Sequence, residues 1–155
     1  MLLSSGVWVK YTGEMGIARD RGLQKLIEEH QVLPSVLFFA GPTLKGNSKA
    51  PLGSCGPTSI SRMLPFLPSC KDLGVRLIVS KGMSKDVLNV LQETNLAYGI
   101  APGGAGAFYG VRIERVLKRK YEELGPEAFF LINVKEFPFY VFLGGEVDGY
   151  FEQIQ

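Results

Sequence analysis

Apolar residues in this chain fall into short runs separated by breaks rich in Gly, Pro and Ser, and the spacing within each run predicts its element. Val7–Thr12, flanked by Gly6 and Gly13, reads as a strand, and Glu14–Ile17 as a second short extended piece. From Ala18 to His30 the interval changes. Leu23, Leu26 and Ile27 recur at helical spacing with charges on the other face, which predicts an amphipathic helix ended by His30. Ser35–Ala40, apolar after its first residue, and Val75–Ser80 read as buried strands, and Leu96–Ala101 as the next one. A helix is expected after Pro57, with Ile60, Met63 and Leu64 on one side. Pro65 and Pro68 break it, because an interior proline costs about 3 kcal/mol. A second helical piece runs from Pro68 to Leu73 and stops at Gly74. Ser84 caps a helix to Thr94 with Val87, Leu88 and Leu91 inward. Pro126–Val134 reads as helical and Phe137–Leu143 as a closing strand whose aromatics belong to a core or a subunit interface. Arg112–Lys120 is a basic run, read as the solvated face of a strand.

The chemistry concentrates in the breaks. Gly41–Gly56 is a long loop, a length that usually marks function or disorder. It opens on Gly41-Pro42-Thr43 and leads into Gly56-Pro57-Thr58, the same tripeptide twice. It lacks the Gly-Lys-Ser/Thr ending of a phosphate loop, and Pro102–Gly110 misses the dinucleotide fingerprint because Tyr109 stands where the third glycine belongs. The stretch Gly53–Met63 is the better candidate. Its glycines allow close backbone approach, and a loop feeding a helix start attracts anions through unpaired N–H groups. Thr58 and Arg62 are four apart, one helical turn, so both can face one point. A carboxylate or phosphate cradle and a plain capped helix with a surface arginine are both compatible with this spacing. Lys81 follows a strand end, where open α/β sheets collect ligands, although a solvated loop lysine would look the same. His30, the single histidine, is read as a cation at a helix C-terminus rather than a catalytic group.

Composition narrows the classes. At 155 residues the chain has room for one domain, spanning 1–155, and its 46% hydrophobic and 21% charged shares are those of ordinary globular proteins. A formal net charge of +2 points away from nucleic-acid and membrane-surface binding. Cys55 and Cys70 form neither a disulfide framework nor a zinc signature, which fits a reducing, cytoplasmic setting. The opening Met-Leu-Leu-Ser-Ser-Gly does not read as a signal peptide, and no apolar run approaches a membrane span.

Several ordered segments carry a family resemblance: Ala18-Arg-Asp20, Ala40-Gly-Pro-Thr43, Gly56-Pro-Thr-Ser-Ile-Ser-Arg-Met63, Asp72-Leu-Gly-Val75, Ser80-Lys-Gly82, Gly103-Gly104, Glu123-Leu-Gly-Pro-Glu-Ala128 and Glu136-Phe-Pro138. From about Gly6 to Tyr150 the chain resembles the β subunit, or C-terminal β region, of the iron–sulfur class I fumarate hydratases and L-tartrate dehydratases. The resemblance implies an α/β fold of the swivelling β/β/α type, three-layered with a mixed sheet, in agreement with the alternating strands and helices. It implies reversible addition of water across a dicarboxylate double bond, so that fumarate is hydrated to malate or tartrate is dehydrated. By the same resemblance Arg19, Arg62 and Lys81 are substrate-carboxylate ligands and Thr58 is the proton-abstracting residue. A four-iron–four-sulfur cluster is expected on a partner α subunit carrying three cluster cysteines, and none on this chain, whose two cysteines are too few. A homodimer or heterotetramer is the expected assembly.

Two departures qualify the implied activity. The family usually has a histidine where this chain has Leu23 and an aspartate where it has Leu64, while Ser59 replaces a threonine more mildly. The alternative they raise is a non-catalytic anion-binding or regulatory subunit that has lost hydratase activity.

Overall fold

The computed structural model describes residues 1–43, 53–102 and 106–154. The middle of the expected Gly41–Gly56 loop and the Gly103-Gly104 pair lie outside the described residues. In chain order the elements are β1 (Leu2–Leu3), β2 (Trp8–Ala18), α1 (Asp20–Glu28), β3 (Val36–Pro42), β4 (Cys55–Pro57), α2 (Leu67–Asp72), β5 (Leu77–Ser80), α3 (Lys85–Thr94), β6 (Ala97–Ile100), α4 (Gly106–Gly110), β7 (Ile113–Lys120), β8 (Phe129–Leu143), β9 (Gly145–Glu146) and β10 (Tyr150–Gln153). Tighter 3-10 turns occupy Ile60–Phe66 and Glu122–Glu127.

The main sheet runs β10-β2-β3-β5-β6-β8-β7, with β4 paired to β3. β2 also pairs with β8, so β2, β3, β5, β6 and β8 close on one another. The pairs β2–β3, β3–β5 and β5–β6 are parallel, while β8 runs antiparallel to both β6 and β2. This is a mixed α/β structure with a sheet-dominated core. Its parallel strands explain the unbroken apolar runs of the sequence, because a parallel strand buries both faces. Val36, Phe38 and Ala40 enter one core together with Leu77 and Val79. Their neighbours Leu37, Phe39 and Ile78 enter a second core, which the helices supply with Leu23, Leu26, Val87 and Leu91.

Four expectations are corrected. Pro126–Val134 is not a helix: a 3-10 turn ends at Glu127, and the chain then runs as the 15-residue strand β8. Phe130, Ile132 and Val134 alternate into the first core, a period of two that outweighs the helix-like start Pro126-Glu127-Ala128. Pro57 does not open a helix either. It ends β4, and a 3-10 turn begins only at Ile60, running through Pro65 without a break. The two extended pieces before Ala18 are one strand, whose Thr12 faces a bulge of β8 at Lys135–Glu136. α1 ends at Glu28, so His30 lies past the helix, exposed and with a positive φ of 51°. The aromatics of the closing strand divide between the alternatives: Phe137 and Phe139 are core, while Tyr140 lies beside the half-exposed Trp8.

Candidate active site

The carboxyl ends of three neighbouring parallel strands meet at one place. β2 ends at Ala18 and is followed by Arg19, β3 ends at Pro42, and β5 ends at Ser80 and is followed by Lys81. The carboxyl ends of parallel strands are where α/β sheets, open or closed, bind ligands. An open cleft of about 670 Å³ lies there, and Arg19, Thr58, Arg62 and Lys81 all line it. The four residues singled out from the sequence, 62 positions apart at their extremes by numbering, therefore share one cleft.

Backbone pairing builds the cleft floor. β3 and β4 pair antiparallel with Ala40 opposite Pro57 and Gly41 opposite Gly56, so the two Gly-Pro-Thr copies lie against each other. The Thr58 N–H donates to the Phe39 carbonyl at 2.7 Å, which extends that pairing. On its other side Thr58 meets the end of β5. Its carbonyl accepts from the Lys81 N–H at 3.3 Å and from the hydroxyl of the fully buried Ser80. The Ile60 N–H donates to the Lys81 carbonyl at 2.9 Å, and Ser59 bridges Lys81 in parallel. Thr58, 8% exposed, is thus held between two strand ends by its main chain. The expected helix-start cradle is replaced by strand pairing, yet Thr58 and Arg62 still reach the same cleft.

Each cation is held differently. Arg19 is the N-cap residue of α1, in an extended conformation, and its side chain lies across Gly41. A Cβ on Gly41 would come within 2.8 Å of Arg19 Cδ and 3.0 Å of its Nη1, so only glycine leaves that space. Arg19 Nε is buried without a hydrogen-bond partner among the described residues, an unmet donor beside the cleft. Arg62, half-exposed on the 3-10 turn, donates from Nη2 to Asp20 Oδ1 at 3.1 Å. Lys81 is exposed. Among the described residues three cations and one carboxylate gather at the cleft, and guanidinium forks match carboxylate geometry.

Asp20 and Gly41 escaped the sequence reading. Asp20 stood within the quoted Ala18-Arg-Asp20 segment without a role, and the role of Gly41 depends on a side chain far away along the chain. Leu23 and Leu64 are not among the residues lining the cleft. Leu23 is fully buried in the helix-side core, and Leu64 packs partly buried against it. Among the described residues no cluster of three His, Cys, Asp or Glu could hold a metal ion. The thiols of Cys55 and Cys70 are free and buried in different cores, where burial pushes each from 9.0 up to about 12.

Fold and cleft together define a mixed α/β structure with a cleft lined by cations at the ends of its parallel strands. The chain belongs to the fumarase C-terminus family, whose profile matches residues 3–154. It is 31% identical over 166 aligned residues to a putative L(+)-tartrate dehydratase subunit beta of Methanocaldococcus jannaschii, covering 98% of this chain and 85% of that protein. It is 30% identical to an aerobic class I fumarate hydratase of Salmonella typhimurium over 88% of this chain and 23% of that enzyme. The anaerobic class I fumarate hydratase of Escherichia coli is 29% identical, with 92% and 28% covered. The chain therefore spans about a quarter of the length of those fumarate hydratases.

Proposed function

We propose that this chain is the β subunit of a hydro-lyase that reversibly hydrates fumarate to malate or dehydrates tartrate. The observation that carries this reading is the convergence of Arg19, Thr58, Arg62 and Lys81 in one cleft at the strand ends. Arg19, Arg62 and Lys81 bind the two carboxylates of the substrate, and Thr58 Oγ1 takes the proton from the carbon that becomes unsaturated. A hydroxyl is a weak base unless a cation stabilises its alkoxide, and Lys81, adjacent through the strand-end bridge, is the cation that does so.

The four-iron–four-sulfur cluster of the resembling enzymes does not fit this chain, because two buried thiols in separate cores cannot supply three thiolates. It is assigned to a partner α subunit carrying three cluster cysteines, without which this chain is inactive. The relative named a subunit beta supports such a partner. The same reading takes 1–155 as one domain of the swivelling β/β/α type, three-layered, supported by the two cores on opposite faces of β3 and β5. It also takes the assembly as a homodimer or heterotetramer and the location as cytoplasmic. No helix among the described residues is long and apolar enough to cross a membrane.

The test is anaerobic reconstitution with the cognate cysteine-bearing chain. Turnover of fumarate, malate or tartrate is expected, and Thr58→Ala is expected to lower kcat by about two orders of magnitude while KM stays within a few-fold. A kcat close to wild type would remove Thr58 from the proton-transfer role. A complex that binds these acids but turns over none would put the non-catalytic anion-binding subunit in place of the enzyme.

A further inference from the structure

We infer that Asp20 positions Arg62, so that the Ala18-Arg19-Asp20 turn controls both guanidinium groups of the cleft. The inference rests on the dicarboxylate reading of that cleft and adds a residue to it. Arg62 needs such a device. It is half-exposed, it stands on a 3-10 turn rather than a regular helix, and a free arginine there would spread over many rotamers. Arg19 is packed across Gly41, whereas the Arg62 side chain is half-exposed. Asp20 Oδ1 accepts a hydrogen bond from Arg62 Nη2 at 3.1 Å. Asp20 is also the first residue of α1, where the helix dipole favours an ionised carboxylate. The ion pair occupies one of the five guanidinium N–H groups and leaves four for a ligand.

Two roles for Asp20 predict opposite signs. As a mere counter-charge it would weaken the attraction of the cleft for an anion, and its removal would tighten binding. As a positioning residue it holds the fork in place for a second carboxylate, and its removal loosens binding although the cleft becomes more positive. The structure assigns the second role, because Asp20 and Arg19 are consecutive. The start of α1 therefore sets the spacing between the two forks, which is what a dianion with two separated carboxylates requires.

The experiment titrates the full chain with L-malate and with L-tartrate, following amide shifts by NMR, for wild type, Asp20→Ala, Asp20→Asn, Arg62→Ala and the Asp20→Ala/Arg62→Ala pair. Asp20→Ala is expected to weaken binding about five- to tenfold, the size of one charged hydrogen bond at a half-exposed site. Asp20→Asn, whose amide oxygen still accepts, should fall between it and wild type. In the Arg62→Ala background the Asp20 substitution should have no further effect, since its action runs through that guanidinium. Unchanged or tighter binding by Asp20→Ala overturns the inference, and so does a loss that persists without Arg62. If the wild-type chain binds neither acid, the dicarboxylate reading itself fails and this inference falls with it; if wild type binds and Asp20→Ala binds equally, only the inference fails.

Discussion

Gly41 and Gly56 face each other across the β3–β4 pair, yet a methyl group would act differently at the two positions. Among the described residues a Cβ at Gly56 meets nothing within 4 Å, whereas at Gly41 it enters the space of Arg19. The obstructing atoms are the far end of a flexible side chain, so Gly41→Ala should move Arg19 rather than unfold the protein. We expect dicarboxylate affinity to drop roughly tenfold with the melting temperature nearly unchanged, since small misplacements of a binding group are costly. Gly56→Ala should cost less affinity, and equal losses in paired titrations of the two variants would refute this account of Gly41. The cations of the cleft were legible in the sequence because charged residues next to strand ends and loops stand out against apolar runs. Their supports were not. Asp20 and Arg62 are 42 positions apart, and nothing local in either segment announces the pair.

At the scale of elements, period decided what could be read. β3 and β5 were plain because their runs are apolar on both faces, and α1 because Leu23 and Leu26 repeat at helical spacing. β8 was half lost, since the proline and glutamate before it imitate a helix start and its alternation becomes visible only over the whole 15 residues. Its bulge is tertiary. Glu136 takes a positive φ of 52°, and its N–H is met by Thr12 Oγ1 at 3.0 Å, where Lys135 and Glu136 of β8 stand against Thr12 alone in β2. The other end of β8 closes the sheet on β6, where the register slips between Tyr98 and Gly99. A Cβ on Gly99 would overlap the ring of Phe139, a fully buried core side chain with little freedom to yield. Gly99→Ala is therefore expected to lower stability by about 1–3 kcal/mol, the usual range for an overpacked core. A urea midpoint equal to wild type would mean that this closure tolerates slack the packing does not suggest.

Over the whole molecule, both cores hold groups that must stay protonated to stay buried. Cys55, Tyr11 and Tyr109 belong to the core enclosed by the strands, and Cys70 to the core beneath the helices. Burial pushes the two thiols from 9.0 to about 12 and is also the main cause that takes the two phenols from 10.0 to about 12. Glu14 adds to the rise at Tyr11, and Arg112 opposes it at Tyr109. Below about pH 9 these groups are protonated in the folded and unfolded states alike, so they leave stability independent of pH. Between about pH 9 and 12 the unfolded chain releases protons that the native chain keeps, and stability falls as pH rises. Because the groups sit in both cores, the loss should appear as one cooperative transition rather than the melting of a single layer. Thermal melts from about pH 8 to about pH 11 should show the midpoint falling once the pH passes about 9. Labelling of both thiols by a disulfide reagent should remain slow below that pH and accelerate together with unfolding above it, since the thiolate is the reactive form. A Cys55→Ser/Cys70→Ser chain should lose part of that alkaline sensitivity and keep the share due to Tyr11 and Tyr109. Fast labelling of either cysteine in the native protein near neutral pH would contradict the burial from which the prediction is drawn.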